Sequence, residues 1–149
     1  MESYFYYNSP IGVLEIIFKN SFIISIKLLN NPHQASKDIP LSLKSQLDEY
    51  FLGKRKSFDL PILPSGTDFQ KQVWSELQKI PYGKTLSYQQ VAQNIGRPLA
   101  QRAVGSACNK NPILILIPCH RVIAKNASLA GFACGLNAKK YLLNLENFN

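Results

Sequence analysis

Two prolines bracket the run that most restricts how this chain can fold. Between Asn111 and Val122 it reads Asn-Pro-Ile-Leu-Ile-Leu-Ile-Pro-Cys-His-Arg-Val. The apolar residues Ile113 to Ile117 demand burial, yet the run is far short of the roughly 20 apolar residues that cross a bilayer. Proline fixes φ and biases the preceding residue towards extended geometry, so Pro112 and Pro118 stiffen both ends. The stretch predicts a short buried strand that delivers Cys119 to a set position, with His120 and Arg121 next in the chain. A thiol beside an imidazole and a guanidinium is either chemistry or filler, because most intracellular cysteines pack as small hydrophobes. The rest of the chain decides.

With 149 residues, 46% of them hydrophobic, the chain suits one ordinary globular domain or two small ones. Three cysteines (Cys108, Cys119, Cys134), no Cys-x-x-Cys pair and two histidines argue against a disulfide framework and a structural zinc site. Met1–Ile11 holds no basic segment followed by an apolar core, so a soluble protein that avoids membranes is expected, cytoplasmic, or nuclear in a eukaryote. The formal charge of +8 is uneven: Met1–Ser65 holds 7 Lys/Arg against 6 Asp/Glu, and Gly66–Asn149 holds 10 against 3. The second part is the candidate for an anionic partner, nucleic acid above all, although a basic surface also serves solubility.

Tyr4–Tyr7, Val13–Lys19 and Phe22–Leu29 are β-branched and aromatic runs separated by turn residues, which predicts a three-stranded antiparallel meander. Leu43, Leu47, Tyr50 and Phe51 have helical spacing, closed by Gly53. Asp59–Gly66, with two prolines and a glycine, is the predicted boundary between domains 1–65 and 66–149. Beyond it, Thr67 with Gln70 and Ser87 with Gln90 are capping-box signatures that start two helices. A third helix is predicted from Pro98 to about Lys110, giving helix-turn-helix spacing across Gly96–Arg97. Its wheel places Leu99, Ala100, Ala103, Val104 and Ala107 inward and Gln101, Arg102, Gly105 and Asn109 outward. A last helix, Leu136–Leu145, is predicted to turn Lys139 and Lys140 outward, with Glu146 at its end.

Arg102-Ala-Val-Gly105, Asn111-Pro112 and Ile117-Pro-Cys-His-Arg-Val122, at these spacings, resemble the O6-alkylguanine-DNA alkyltransferase family. Ser9-Pro-Ile-Gly12, Gln46–Phe51, Phe69-Gln70 with Val73-Trp74, Ile80-Pro-Tyr-Gly83 and Ser87-Tyr-Gln-Gln90 extend the likeness over nearly the whole chain. The resemblance implies an α+β protein: an N-terminal ribonuclease-H-like domain with a small antiparallel sheet and helix, then a winged-helix-like domain with a helix-turn-helix. It implies single-turnover transfer of an alkyl group from O6 of guanine, and possibly O4 of thymine, in double-stranded DNA to the protein's own cysteine. A monomer acting without cofactor or metal is expected.

Displacement at a saturated carbon needs a thiolate, and an unperturbed cysteine, with a pKa of about 8.5, is only about 3% thiolate at pH 7. The resemblance assigns Cys119 as nucleophile and acceptor, His120 as its activator through a water, Glu146 as the group orienting His120, and Asn111 as the brace of the cysteine loop. Alternation along an extended segment would turn Cys119 and His120 to opposite faces, which suits a bridging water. Tyr88 corresponds to the residue that contacts the flipped base and protonates the leaving guanine. Backbone groups near Cys119, Val122 and Ala133 would hold the base edge, with Phe132 and Cys134 at the pocket wall. Arg102 corresponds to the arginine that fills the space left by a flipped nucleotide. Gln89, Arg97 and Lys125 join it as candidate DNA contacts.

Other classes explain less. An alkyltransferase-like lesion-binding protein lacks the acceptor cysteine, a plain winged-helix regulator gives no reason for Asn111, Cys119, His120 and Glu146 together, and a cysteine hydrolase needs an acyl-recognition feature. The chain departs from the family at Gly131-Phe-Ala-Cys-Gly135, where a tyrosine and paired glycines are usual, at Asn126-Ala127, and at Gln101, which is larger than usual. Cys134 should narrow the pocket and disfavour benzyl relative to methyl adducts. Cys134→Gly is then expected to raise benzyl transfer relative to methyl transfer in paired single-turnover assays, and an unchanged ratio would refute the narrowing.

Overall fold

The structure, a computed structural model, describes residues 1–124 and 135–147. The predicted meander is present as β1 (Glu2–Ser9), β2 (Gly12–Lys19) and β3 (Phe22–Leu28), antiparallel in the order β1-β2-β3. The register shifts at Ile17/Phe18, which pairs Ile17 with Ser25 and Phe18 with Ile23 and leaves Ile24 as the extra residue. That bulge lets Ile23 and Ile26, three apart, both face the core with Leu14 and Ile16. The helix α1 (Leu41–Phe51) buries Leu43, Leu47 and Tyr50. Gly53 follows at φ 76°, a left-handed turn that suits glycine.

The free edge of β3 is used twice. Ile23 exchanges backbone hydrogen bonds with Pro61 and Leu63, and Ile26 does the same with Pro112 and Leu114. The segment that leads to Cys119 is therefore docked onto the N-terminal sheet, and one apolar core runs through both parts of the chain.

The helices α2 (Asp68–Leu77) and α3 (Tyr88–Asn94) both start on the predicted capping boxes, with both reciprocal hydrogen bonds made at Thr67/Gln70 and at Ser87/Gln90. A two-residue strand β4 (Leu86–Ser87) pairs in parallel with β5 (Val122–Ile123). The pairing brings the start of α3 alongside the residues that follow Cys119. Trp74 on α2 is buried and donates its indole N–H to the Ala107 carbonyl of α4 (Gln101–Asn109) at 2.9 Å. The closing helix α5 spans Leu136–Asn147. No helix among the described residues is long and apolar enough to cross a membrane.

Four details correct the sequence reading. The third helix begins at Gln101, not Pro98, because Arg97–Ala100 forms a turn closed by Ala100 N–H on the Arg97 carbonyl. Leu99 is accordingly exposed, as is Ala103, and Cys108 joins Val104 and Ala107 on the buried face. Ile113–Ile117 is not a plain strand: it doubles back on itself, with Ile117 N–H on the Ile113 carbonyl and Ile115 at φ 73°. Positive φ is strained for a β-branched side chain, so burial of Ile115 must hold it there. Lys139 points inward and is fully buried.

Gly66 shows how closely the second part packs. A Cβ on it would lie 2.6 Å from the Trp74 ring, which its hydrogen bond to α4 prevents from moving aside. Gly66→Ala should cost about 1–3 kcal/mol through overpacking, read as a lowered urea midpoint with unchanged m-value.

Candidate active site

Cys119 lies on a 3-10 turn, Cys119–Arg121, that follows Pro118 and runs into β5. This corrects the expected extended segment. Cys119 N–H donates to the Ile117 carbonyl at 2.8 Å and Arg121 N–H to the Pro118 carbonyl at 3.0 Å, which tightens the chain into a turn. Successive side chains of such a turn are about 120° apart, so strict alternation does not separate Cys119 from His120.

Asn111 braces the turn with its whole side chain. Its Oδ1 accepts from Ile113 N–H at 2.9 Å, while Nδ2 donates to the Ile117 carbonyl at 2.7 Å and to Cys119 Sγ at 3.1 Å. A donor on sulfur favours the thiolate. The backbone doubling at Ile115 is what brings Asn111 back beside Cys119, eight residues later in the chain.

His120 and Arg121 both turn to Glu146 on α5. His120 Nε2 and Glu146 Oε2 are 2.6 Å apart; Arg121 donates Nε to Oε1 at 2.8 Å and Nη2 to Oε2 at 3.1 Å, and its Nη1 to the Ile80 carbonyl at 2.8 Å. A further donor comes from α1: the Tyr50 hydroxyl reaches Glu146 Oε2 at 2.6 Å. All four side chains are buried. Burial by itself would raise the Glu146 carboxyl; the hydrogen bonds from His120, Arg121 and the Tyr50 hydroxyl outweigh it and hold the group well below the usual carboxylate range. Burial lowers His120, helped by the charges of Arg121 and Lys139 and opposed by Glu146. The pair is thus a neutral imidazole on an ionised carboxylate. Its Nε2 carries the proton donated to Glu146, so Nδ1 is the nitrogen able to accept one.

Lys139 is a second buried cation among the described residues. Its Nζ donates to the Val122 carbonyl at 2.6 Å and lies 5.8 Å from the Tyr88 ring centroid. Burial lowers its pKa, and the nearby sulfurs of Cys119 and Cys108 raise it. A positive charge here favours a thiolate at Cys119. Burial pushes the Cys108 thiol up to about 12, so it stays protonated at neutral pH. Tyr88, at the first turn of α3, is raised to about 12, mainly by burial and further by the two thiols, and stays a proton donor. Its ring faces Gly105 of α4, where an added Cβ would lie 3.9 Å away.

The structure thus gathers Cys119, His120, Glu146, Asn111, Tyr88 and Val122 in one region. Arg102 is exposed on α4 among the small exposed residues Ala103 and Ser106. Gln89 is half-buried on α3, and Arg97 is exposed with its guanidinium 5.8 Å from the Phe69 ring centroid. Lys125, Phe132, Ala133 and Cys134, with Asn126-Ala127, lie outside the described residues. Two participants escaped the sequence reading. Lys139 stands seven residues before Glu146, two helical turns, so an inward Glu146 already implied an inward Lys139. Tyr50 was legible as a core residue, but nothing in the sequence joins it to Glu146. Among the described residues, no three His, Cys, Asp or Glu side chains group closely enough to hold a metal ion.

Two family descriptions match the chain end to end: 6-O-methylguanine DNA methyltransferase, ribonuclease-like domain, over residues 3–64, and 6-O-methylguanine DNA methyltransferase, DNA binding domain, over residues 68–148. The chain belongs to the 6-O-methylguanine DNA methyltransferase family. It is 41% identical over 146 residues to a Mycobacterium tuberculosis methylated-DNA–protein-cysteine methyltransferase, covering 93% of this chain and 88% of that one. A Methanosarcina acetivorans protein of the same name is 56% identical over 101 residues; the match takes in 68% of this chain and 65% of that one, less than two thirds of the relative's length. The crystal structure of Mycobacterium tuberculosis O6-methylguanine methyltransferase superposes with a TM-score of 0.92 at 39% identity, over 99% of this chain and 94% of that one. That of the same organism's OGT in complex with DNA gives 0.89 at 41% identity, over 97% and 92%. The α+β architecture expected from the sequence is the architecture of these family structures.

Because His120 is buried neutral, an unfolded chain takes up a proton that the folded one refuses below about pH 6.5, the ordinary imidazole value. Stability should fall as pH drops through that range. It should fall again below about pH 4.3, where the unfolded carboxyl protonates and the depressed Glu146 does not. Arg121→Met, which strands a buried carboxylate, is expected to lose about 3–5 kcal/mol at pH 7 and to flatten the second decline. Urea titrations across pH check both.

Proposed function

We propose that this protein repairs DNA by direct reversal, moving a methyl group from O6 of guanine onto Cys119 in one irreversible turnover. The observation that carries the reading is the convergence on one sulfur: Asn111 Nδ2 at 3.1 Å from Cys119 Sγ, with the next residue, His120, held neutral on an ionised Glu146. His120 Nδ1 takes the thiol proton, through a water. The sulfur lone pair attacks the methyl carbon; the S–C bond forms and the C–O6 bond breaks, leaving its electron pair on guanine. Tyr88, a phenol held protonated, supplies the proton that makes the product neutral guanine, and the His120 proton returns to it by way of solvent. The resulting thioether has no acidic proton or leaving group that the site could use, so the protein is spent.

The substrate is double-stranded DNA, bound by residues 66–149 as a helix-turn-helix of winged-helix type, with residues 1–65 as a separate ribonuclease-H-like domain. The separate matches to residues 3–64 and 68–148, the second described as a DNA binding domain, support this division. A relative solved in complex with DNA supports the partner. On α4, Arg102 projects from a face whose neighbours Ala103, Gly105 and Ser106 are small, which allows close approach to a groove and insertion of the guanidinium where a flipped nucleotide leaves. Gln89, Arg97 and Lys125 are assigned to the DNA backbone, and the backbone of Cys119, Val122 and Ala133 to the base edge. The reaction needs no metal or cofactor, and the protein acts as a cytoplasmic monomer.

Incubation with duplex DNA bearing isotopically labelled O6-methylguanine tests this. Label should appear on Cys119 by mass spectrometry, at no more than one methyl per protein and none on Cys108. Catalytic turnover, or DNA binding without label, would overturn the reading. In the same assay Arg102→Ala should slow transfer from duplex DNA by about tenfold or more while leaving reaction with the isolated O6-methylguanine base nearly unchanged.

A further inference from the structure

The N-terminal half contributes one side chain to the buried network, and its geometry assigns it a task. Glu146 Oε2 lies 2.6 Å from the Tyr50 hydroxyl and 2.6 Å from His120 Nε2, with Arg121 Nη2 at 3.1 Å; Oε1 takes only Arg121 Nε among these groups. The phenol and the imidazole therefore share one oxygen. Tyr50 is fully buried, its ring packed 5.2 Å from Phe51, 5.3 Å from Phe58 and 6.4 Å from Tyr82 between centroids. It cannot swing away to another acceptor without breaking that aromatic packing.

We infer that Tyr50, on α1, is a positioning residue for His120: by donating to Glu146 Oε2 it fixes the carboxylate and limits how strongly that oxygen holds the imidazole proton. The inference rests on the repair reading for its link to chemistry and deepens it, because it makes the N-terminal half part of the proton-accepting apparatus. A carboxylate oxygen that already accepts a short, charge-assisted bond has less charge left for a second donor. With Tyr50 in place, Glu146 orients His120 without drawing it towards the imidazolium form. A neutral His120 is the form able to take the Cys119 proton. Desolvation and the neighbouring Glu146 charge keep the phenol protonated, so it stays a donor throughout the useful pH range.

Other groups bear on the same pair. Glu146 faces Tyr50 from α1 and His120 and Arg121 from the 3-10 turn; Tyr82, from the turn before β4, lies against Tyr50 and Arg121, and His120 also senses Lys139 on α5. Arg121 and Lys139 favour neutral His120, and Glu146 opposes them. Removing the phenol strengthens only the opposing influence. The sign follows: without Tyr50 the imidazole becomes easier to protonate, and activity is lost at a higher pH on the acid side.

The chain holds only two histidines, His33 in an exposed loop and His120, so imidazole NMR signals assign simply. In Tyr50→Phe, the His120 Nε2–H proton should move downfield as the bond to Glu146 strengthens, with His33 unchanged. The acid limb of the single-turnover transfer rate at saturating DNA should rise by about half a pH unit or more, while DNA affinity stays within about twofold. Tyr7→Phe is the control: it removes a comparable 2.6 Å phenol hydrogen bond, to Asp48 on the same helix α1, away from the site. It should leave both readings at wild-type values. An unmoved His120 signal in folded Tyr50→Phe, or the same movement in Tyr7→Phe, would overturn the inference. The wild type supplies a check that needs no variant. Its Tyr50 hydroxyl proton should be shielded from solvent exchange and show an Overhauser contact to the His120 ring; rapid exchange with water refutes the role. If the wild type transfers no methyl group, the repair reading fails, and the NMR result still decides whether Tyr50 governs His120.

Discussion

One buried carboxylate organises this molecule. Glu146 receives donors from Tyr50 on α1 and from His120 and Arg121 in the 3-10 turn after Pro118. An ionised carboxylate buried without partners would cost several kcal/mol. Its donors therefore have to be in place together: Arg121 supplies charge, His120 a proton and Tyr50 a neutral bond. Arg121 is in turn held by the Ile80 carbonyl and lies against the Tyr82 ring. Placing Glu146 thus places the end of α5, the turn carrying Cys119 and one face of α1 at the same time.

The second constraint is backbone. The Asn111–Val122 stretch docks on the edge of β3 through Ile26, doubles back through a left-handed Ile115, and tightens into a turn at Cys119. Each of these steps spends backbone hydrogen bonds that a surface loop would give to water. The outcome is a buried sulfur with its own donor, Asn111 Nδ2, and little freedom to move. Preorganisation of this kind fixes the surroundings of the sulfur before any ligand arrives.

Electrostatics then separates two cysteines that the sequence lists alike. Cys108 and Cys119 are both buried, and both lie close enough to Lys139 for its charge to act on them. Cys108 packs on the inner face of α4, where burial holds it as a thiol. Cys119 has Asn111 on its sulfur and His120 as its neighbour. The same low-polarity surroundings that silence one thiol make every charge and dipole beside the other count for more.

The sequence by itself determined what depends on neighbours along the chain. The presence and order of β1 to β3, the capping boxes at Thr67 and Ser87, the inward face of α1 and the candidacy of Cys119 and His120 rest on period, turn chemistry and motif, all local quantities; Asn111 and Glu146 became candidates through the family resemblance. Tertiary structure decided what depends on distant partners. An apolar run between two prolines predicted a strand for Ile113–Ile117, but the chain docks on the β3 edge through Leu114 and doubles back at Ile115. Solvent-facing habit predicted an outward Lys139, but the Val122 carbonyl and two thiols gave it a buried place. Tyr50 reads as packing in any local window; only the approach of α5, 96 residues later in the chain, makes its hydroxyl a partner of Glu146. A side chain's period says whether it points inward. What it meets there is set by long-range packing, which no local pattern encodes.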